Sequence, residues 1–167
     1  KGETGTANLN RALQAALNPA GAGRREKRFG DIIFREGDRV MQTRNDYDVV
    51  WQKEDGTAGT GIFNGDVGKI AKIDPSGELL EIIFDDRTAT YTSDMLAELD
   101  MAYAMTVHKA QGSEYRGVVF VGAPCAPSLM VRGVLYTAIT RARELLVIVG
   151  DDSAVNKMAE NDRRSRR

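Results

Sequence analysis

Residues 104–121 read Ala-Met-Thr-Val-His-Lys-Ala-Gln-Gly-Ser-Glu-Tyr-Arg-Gly-Val-Val-Phe-Val, and residues 134–149 read Val-Leu-Tyr-Thr-Ala-Ile-Thr-Arg-Ala-Arg-Glu-Leu-Leu-Val-Ile-Val. Each stretch ends in a near-continuous apolar run, Gly117–Val121 and Leu145–Val149. Such runs are what a strand buried on both faces carries. Between them Val131, Val134, Leu135, Ala138 and Ala142 form one stripe at helical spacing, which predicts a helix over roughly residues 129–143 after Pro127 and Ser128. Strand, helix, strand in that order predicts a parallel α/β unit. Asp151 or Asp152 is placed to cap a last helix over residues 153–160. Upstream, Met101–Val107 reads as a further strand.

Residues 31–100 follow another period. Asp31–Phe34 and Arg39–Thr43 read as short strands about the turn Glu36-Gly37-Asp38. Val67–Ile73, Leu79–Phe84 and Thr88–Thr92 read as strands joined by the turns Asp74-Pro75-Ser76-Gly77 and Asp85-Asp86. Leu80, Ile82 and Phe84 alternate onto one face, as do Thr88, Thr90 and Thr92. Asn64-Gly65 is a tight-turn pair, and the polar, glycine-rich Glu54–Gly61 reads as a flexible loop. Short strands joined by tight turns predict a small β-barrel. Towards the N-terminus, Leu9, Leu13, Ala16 and Leu17 share a helical face, with Thr6 or Asn8 as cap and Asn18-Pro19 as the stop. Residues 20–28 read as loop. The expected organisation is an α/β domain made of residues 1–30 and 101–160, interrupted by a barrel at 31–100, with a basic disordered tail at 161–167.

Composition narrows the function classes. A chain of 167 residues, 42% hydrophobic, supports a real core. No apolar run approaches the ~20 residues that cross a bilayer, so no membrane partner is expected. The single cysteine, Cys125, excludes an intrachain disulfide, which fits a cytoplasmic setting, and is expected to be inert. One cysteine and one histidine leave no His/Cys metal site, and no metal ligand is assigned. The net charge of −1 is unevenly spread: residues 54–100 carry 3 Lys+Arg against 11 Asp+Glu, while both flanks are mildly basic. Phosphate contacts need cations, so the acidic middle segment argues against a nucleic-acid surface there. Trp51 reads as packing of the barrel or its loop.

The chemistry-bearing residues sit in the two stretches quoted first. Thr106, His108, Lys109, Gln111 and Ser113 bring hydroxyl, imidazole, ammonium and amide groups to one short segment. With a strand ending near Val107 they lie beyond its carboxyl end, where open α/β sheets bind ligands. Gly112 lets the backbone approach a ligand. Taken alone, a polar connecting loop accounts for the segment equally well. Thr137 and Arg141 share another helix face, four residues apart. An arginine held there reaches a γ-phosphate with its planar fork, and such fingers contribute about 10³–10⁵ in rate. For Thr-Arg-Ala-Arg alone, a solvated arginine paired with Glu144 or Glu114 is the simpler account. No Gly-x-x-x-x-Gly-Lys-[Ser/Thr] occurs anywhere.

Together the stretches are specific. Thr106–Tyr115 closely resembles motif V of superfamily 1 helicases, and Leu135–Arg143, with Ile139-Thr140-Arg141-Ala142, resembles motif VI. Gly37–Gln42, Asn45-Asp46-Tyr47 and Phe63–Gly68 resemble the RecD-like branch, and the opening Lys1–Thr6 followed by Leu9-Asn10 is similar to it. The resemblance implies an α/β fold: a RecA-like parallel-sheet domain, the second motor domain, with an inserted small SH3-like β-barrel. It implies the C-terminal portion of an ATP-dependent, 5′-to-3′ DNA helicase. Arg141 would be the arginine finger, Gly112 and Glu114 would lie at the nucleotide cleft, and Thr106, His108 and Lys109 would meet single-stranded DNA. ATP and Mg would be bound mostly by a first RecA-like domain of the same chain, so this stretch alone is expected to hydrolyse no ATP. A stand-alone helicase, the alpha subunit of an exodeoxyribonuclease V-type complex and the helicase half of a conjugative relaxase stay open. So does a barrel acting as a protein-binding module of a DNA-processing complex.

Overall fold

A computed structural model describes residues 4–21 and 23–162. The described residues fall into two compact units that divide between Ala104 and Met105. Each has its own core.

In the first unit, helix α1 (Thr6–Leu17) stops where expected, with Asn18 as its C-cap ahead of Pro19. Its inward face is not the expected leucine stripe. Leu9 and Leu13 are half-buried, but Ala16 is exposed and Leu17 is 68% exposed. A ladder of amide side chains four residues apart does the work of contact instead. Asn10 donates to the Met101 and Ala104 carbonyls and accepts from the Ala104 amide. Gln14 donates to the Ile33 carbonyl and Asn18 to the Glu36 carbonyl.

Strands β1 (Glu26–Phe29) and β2 (Ile32–Arg35) form an antiparallel hairpin, so the segment read as loop, 20–28, ends in a strand. Seven more strands follow: β3 (Arg39–Gln42), β4 (Asp46–Gln52), β5 (Ala58–Ile62), β6 (Val67–Ile73), β7 (Leu79–Phe84), β8 (Arg87–Thr92) and, after a 3₁₀ turn at Asp94–Glu98, β9 (Leu99–Met101). They make one antiparallel sheet in the order β5-β4-β8-β7-β6-β3-β9. Its inner face supplies Val40, Ile62, Ile70, Ile73, Leu80, Ile82, Phe84 and Tyr91, all 0–1% exposed. A flat sheet cannot hide one face this completely without a second layer, so the sheet curls over its own side chains. Each such burial contributes about 1.5–3 kcal/mol, whereas solvent screens surface pairs such as Lys53–Asp86; the core holds the unit together. Leu80, Ile82 and Phe84 point inward as the alternation requires, and Thr90 and Thr92 point out. Glu54–Gly61, expected as a flexible loop, holds most of β5. A side chain at Gly59 would put its Cβ 2.5 Å from Cζ2 of Trp51, and the half-buried indole packs on the core there.

One carboxylate ties the unit together. Asp38 is fully buried beside Gly37, whose φ is +94°. Its Oδ1 accepts from Asn18 Nδ2 at 2.7 Å and from the Tyr103 hydroxyl at 2.9 Å. Its Oδ2 accepts from Gln14 Nε2 at 2.6 Å and from the Arg35 amide at 2.7 Å. Four donors on one buried carboxylate fix α1, β2, β3 and the chain after β9 in one arrangement. Residues 4–21 and 23–30 thus lie in one compact unit with the strands, where the expected split put residues 1–30 with 101–160.

The second unit is smaller. No strand forms over Met101–Val107: Met101 ends β9, and residues 107–112 are turns. Strand β10 (Tyr115–Gly122), helix α2 (Arg132–Ile139), strand β11 (Ala142–Gly150) and helix α3 (Asp152–Glu160) follow. β10 and β11 pair in parallel, Val119 against Val147 and Val121 against Val149, as the strand–helix–strand order requires. α2 is shorter than expected, because Val131 is its N-cap and Ala142 already opens β11. Asp151 caps α3 by accepting from the Ser153 amide at 2.8 Å.

Phe120, Leu135, Ala138 and Met158 form the core of this unit, on one face of the strand pair. The other face carries Val119 (64% exposed), Leu145 (60%), Val121, Val147 and Val149, all exposed. The expectation of strands buried on both faces is therefore not met. Nor is a RecA-like parallel sheet seen: the parallel pairing consists of these two strands, and the seven-stranded antiparallel sheet dominates. Among the described residues no helix is long and apolar enough to cross a membrane. The tail read as disordered lies, from residue 163 on, outside the described residues.

Candidate functional site

The residues singled out in the sequence lie in the second unit, at the amino-terminal ends of β10 and β11. Because no strand ends near Val107, they do not occupy the carboxyl edge of a sheet. Thr106 closes the first turn of the segment: its Oγ1 accepts from the Lys109 amide at 3.3 Å and its carbonyl from the Ala110 amide at 3.1 Å. Ala110 is buried and anchors the turn, while Thr106, His108, Lys109 and Gln111 are exposed. Gly112 has φ +86° and open space where a Cβ would stand. Its glycine is required by the backbone conformation, since no neighbour crowds the position.

Arg141 sits in the turn between α2 and β11, just past the helix rather than on it. It is half-buried. Its Nε donates to the Thr137 carbonyl at 3.2 Å, its Nη1 to the Ser113 carbonyl at 3.0 Å and its Nη2 to Thr140 Oγ1 at 3.4 Å. Its own carbonyl accepts from the Tyr115 amide at 2.8 Å. The expected partnership with Thr137 is thus made by backbone; the Thr137 hydroxyl donates to the Gly133 carbonyl. Three of the five guanidinium N–H groups are engaged, all by uncharged oxygens. The carbonyl end of α2 carries a partial negative pole of about half a charge, which orients the guanidinium without neutralising it.

Glu114 and Glu144 were the carboxylates most able to quench Arg141. They pair elsewhere: Arg116 holds Glu144 through two bonds of 3.0 and 3.1 Å, and Arg143 lies 3.7 Å from Glu114. Among the described residues no carboxylate lies within 4 Å of Arg141. The structure therefore brings Gly112, Ser113, Glu114, Arg141 and Arg143 to one rim. Thr106 and His108 form a separate exposed turn, with no hydrogen bond from either to Arg141 among the described residues. No group of three or more His, Cys, Asp or Glu side chains suited to a metal ion is found among the described residues. The arrangement offers an anion a fixed cation. Sequence reasoning missed the Ser113 carbonyl as the acceptor that aims Arg141, because a backbone atom leaves no residue signature.

With this geometry in place, comparison with known proteins defines a class. The family described as ATP-dependent RecD-like DNA helicase SH3 domain matches residues 9–84, and the family described as UvrD-like helicase C-terminal domain matches residues 101–149. Both belong to helicases. More particularly, the chain is 36% identical over 166 residues to the ATP-dependent RecD2 DNA helicase of Deinococcus radiodurans, covering 99% of this chain and 21% of that protein. It is 28% identical over 160 residues to the RecBCD enzyme subunit RecD of Mycolicibacterium smegmatis, covering 96% and 25%, and 27% identical over 154 residues to the RecD subunit of Haemophilus influenzae, covering 89% and 20%. The chain belongs to the RecD-like helicase family and spans about a fifth to a quarter of the length of these relatives.

Proposed function

We propose that this chain supplies the second RecA-like motor domain of an ATP-dependent DNA helicase, together with the SH3-like barrel set in it. Thr106–Tyr115 act as motif V and Leu135–Arg143 as motif VI. Arg141 is the arginine finger, and Gly112 and Glu114 border the nucleotide. Thr106, His108 and Lys109 meet single-stranded DNA. The observation that carries the reading is Arg141 itself: a half-buried guanidinium aimed by carbonyls, with no carboxylate within 4 Å among the described residues and with N–H groups to spare. A site of that kind has the greatest affinity for an anion whose negative charge grows during reaction. ATP fits this rim through one cation; the remaining phosphate contacts and the Mg ligands would come from a first RecA-like domain outside this sequence. This chain alone is expected to hydrolyse no ATP.

The bare valine face of β10 and β11 supports the same reading. A strand pair with apolar residues on both faces is suited to the interior of a larger parallel sheet covered on both sides. In a longer helicase containing this chain, Arg141→Ala is expected to abolish DNA-stimulated ATP hydrolysis while a non-hydrolysable ATP analogue still binds within a few-fold. Undiminished hydrolysis would overturn the proposal. A second reading, the barrel as a docking module for a protein partner, draws on the exposed Tyr47 and Phe63, whose rings meet edge-on at 5.6 Å beside Asp46 and Asp48. It is compatible with the first.

A further inference from the structure

The hairpin of β4 and β5, with the turn that follows it, is strongly acidic. Residues 45–66 carry five carboxylates, Asp46, Asp48, Glu54, Asp55 and Asp66, against one cation, Lys53. Lys53 is taken by Asp86, and the cations beside the hairpin are taken as well: Arg44 by Glu98 and Arg87 by Asp66. Asp46 accepts from the Asp48 amide at 2.9 Å, which fixes its side chain, and Asp48 is exposed. Neither forms an ion pair among the described residues.

The same hairpin carries an aromatic shelf. A Cβ at Gly61 would stand 2.9 Å from Cζ of Phe63, so glycine at that position lets the Phe63 ring close down on the backbone. Tyr47 meets that ring edge-on, with centroids 5.6 Å apart and planes at 71°. Both side chains are exposed, yet each ring limits the other. Aromatic faces carry negative potential and attract ammonium and guanidinium groups. The ring faces and the neighbouring carboxylates thus call for a ligand of the same sign, a cation.

β5 adds an open strand edge. Among the described residues it is hydrogen-bonded to β4 alone. Ala58–Ile62 includes no charged residue and no proline, the residues that commonly block an exposed edge. Gly61, at φ +98°, ends the regular part, which leaves Ala58–Thr60 open to pairing.

We propose that an extended, lysine- or arginine-bearing segment of a partner protein docks on this hairpin. Its backbone pairs along Ala58–Thr60 by strand addition. One of its cationic side chains lies on the Tyr47–Phe63 shelf, with Asp46 and Asp48 as counter-charge. The proposal rests on the barrel serving as a docking module, and adds the chemistry that the module selects. A nucleic-acid strand is disfavoured here: its bases suit the rings, but its phosphates meet carboxylates. The site lies wholly in the first unit, so it stands apart from Arg141 and the 106–114 segment.

The test is binding of a fluorescein-labelled peptide of alternating threonine and lysine to this chain, followed by anisotropy. The controls are the same peptide with glutamate for lysine, and the lysine peptide N-methylated at alternate backbone amides. The lysine peptide is expected to bind, more weakly as salt rises, and both controls to fail. Tyr47→Phe keeps the ring and is expected to keep the affinity. Tyr47→Leu keeps apolar area without the ring face and is expected to weaken binding about two- to fivefold. Asp48→Lys reverses the charge and is expected to weaken it about tenfold or more. The Trp51 fluorescence of each variant reports that the barrel is folded. Unchanged affinity in both Tyr47→Leu and Asp48→Lys overturns the proposal, as does equal binding of the N-methylated peptide, which removes strand addition. Displacement of the peptide by an oligothymidylate overturns it too, marking the shelf as a base-stacking surface. Tyr47-dependent binding of the glutamate peptide instead overturns the cationic partner and leaves the docking module standing, whereas binding of neither peptide overturns both.

Discussion

Arg141 and Ser113 are joined by a single hydrogen bond, from Nη1 to the backbone carbonyl at 3.0 Å. That bond ties the turn after α2 to the loop before β10, so the guanidinium and Gly112–Glu114 are held as one piece. Lysine keeps the charge but lacks the fork that reaches the Ser113 and Thr137 carbonyls together. In a longer helicase, Arg141→Lys is therefore expected to lower ATP hydrolysis about 10³-fold or more, while this chain carrying the same change unfolds within a few degrees of the parent. Full hydrolysis with lysine would show that charge alone suffices and that the aim set by Ser113 is irrelevant.

Gly112 separates two causes of glycine use. Its φ of +86° is costly for other residues, yet a Cβ there would touch nothing within 4 Å. Gly112→Ala is expected to cost about 1–2 kcal/mol from backbone strain alone, read by urea denaturation of this chain. A neutral result would mean that the turn readily relaxes to negative φ.

Asp38 and Tyr103 set an alkaline limit on the first unit. Burial, with the hydrogen bond to Asp38 adding to it, pushes the Tyr103 hydroxyl up to about 12 from 10.0. A proton held more tightly in the fold than in the unfolded chain contributes stability that is complete below pH 10 and lost as pH rises towards 12. Burial raises Tyr91 in the same direction. Tyr103→Phe is expected to reduce the fall in stability across that window, leaving the part due to Tyr91, as measured by denaturation at stepped pH. Asp38→Ala leaves four donors without their acceptor and is expected to cost about 3 kcal/mol or more. A variant that loses less than about 1 kcal/mol would show that water replaces the carboxylate.

The elements read most directly from sequence are those where the local signal and the tertiary environment agree. β7 shows its alternation, Asn18-Pro19 ends α1, and Asp151 caps α3. β5 was hidden because Gly59 and Gly61 look like loop residues. Gly59 is there to admit the Trp51 ring, and Gly61, at φ +98°, has the Phe63 ring 2.9 Å from where its Cβ would stand. α1 was read as a leucine stripe because hydrophobic spacing cannot announce that Asn10, Gln14 and Asn18 make the long-range bonds. Of the strand expected over Met101–Val107 only Met101 is in a strand: it pairs with Val40, and the chain then turns. Thr106, Gly112 and Arg141 were legible as residue types in a familiar pattern. The carbonyls that aim Arg141 were not, since every residue has one.

The exposed valine face gives the sharpest comparison between this chain and a longer helicase. Val147 pairs in register with Val119, and both point away from α2 and α3 towards solvent. At a solvent-facing position a charge is tolerated, so Val147→Asp in this chain is expected to change stability by no more than about 0.5 kcal/mol and to reduce concentration-dependent self-association, because it interrupts a contiguous apolar patch. If the same face is covered by further layers in the longer protein, the identical change buries an unpaired carboxylate there. It is then expected to cost about 3 kcal/mol or more, seen as loss of soluble expression or a lowered unfolding midpoint. A small effect in both contexts would mean that the strand pair remains bare in the whole protein, and the second RecA-like domain could not be built around it.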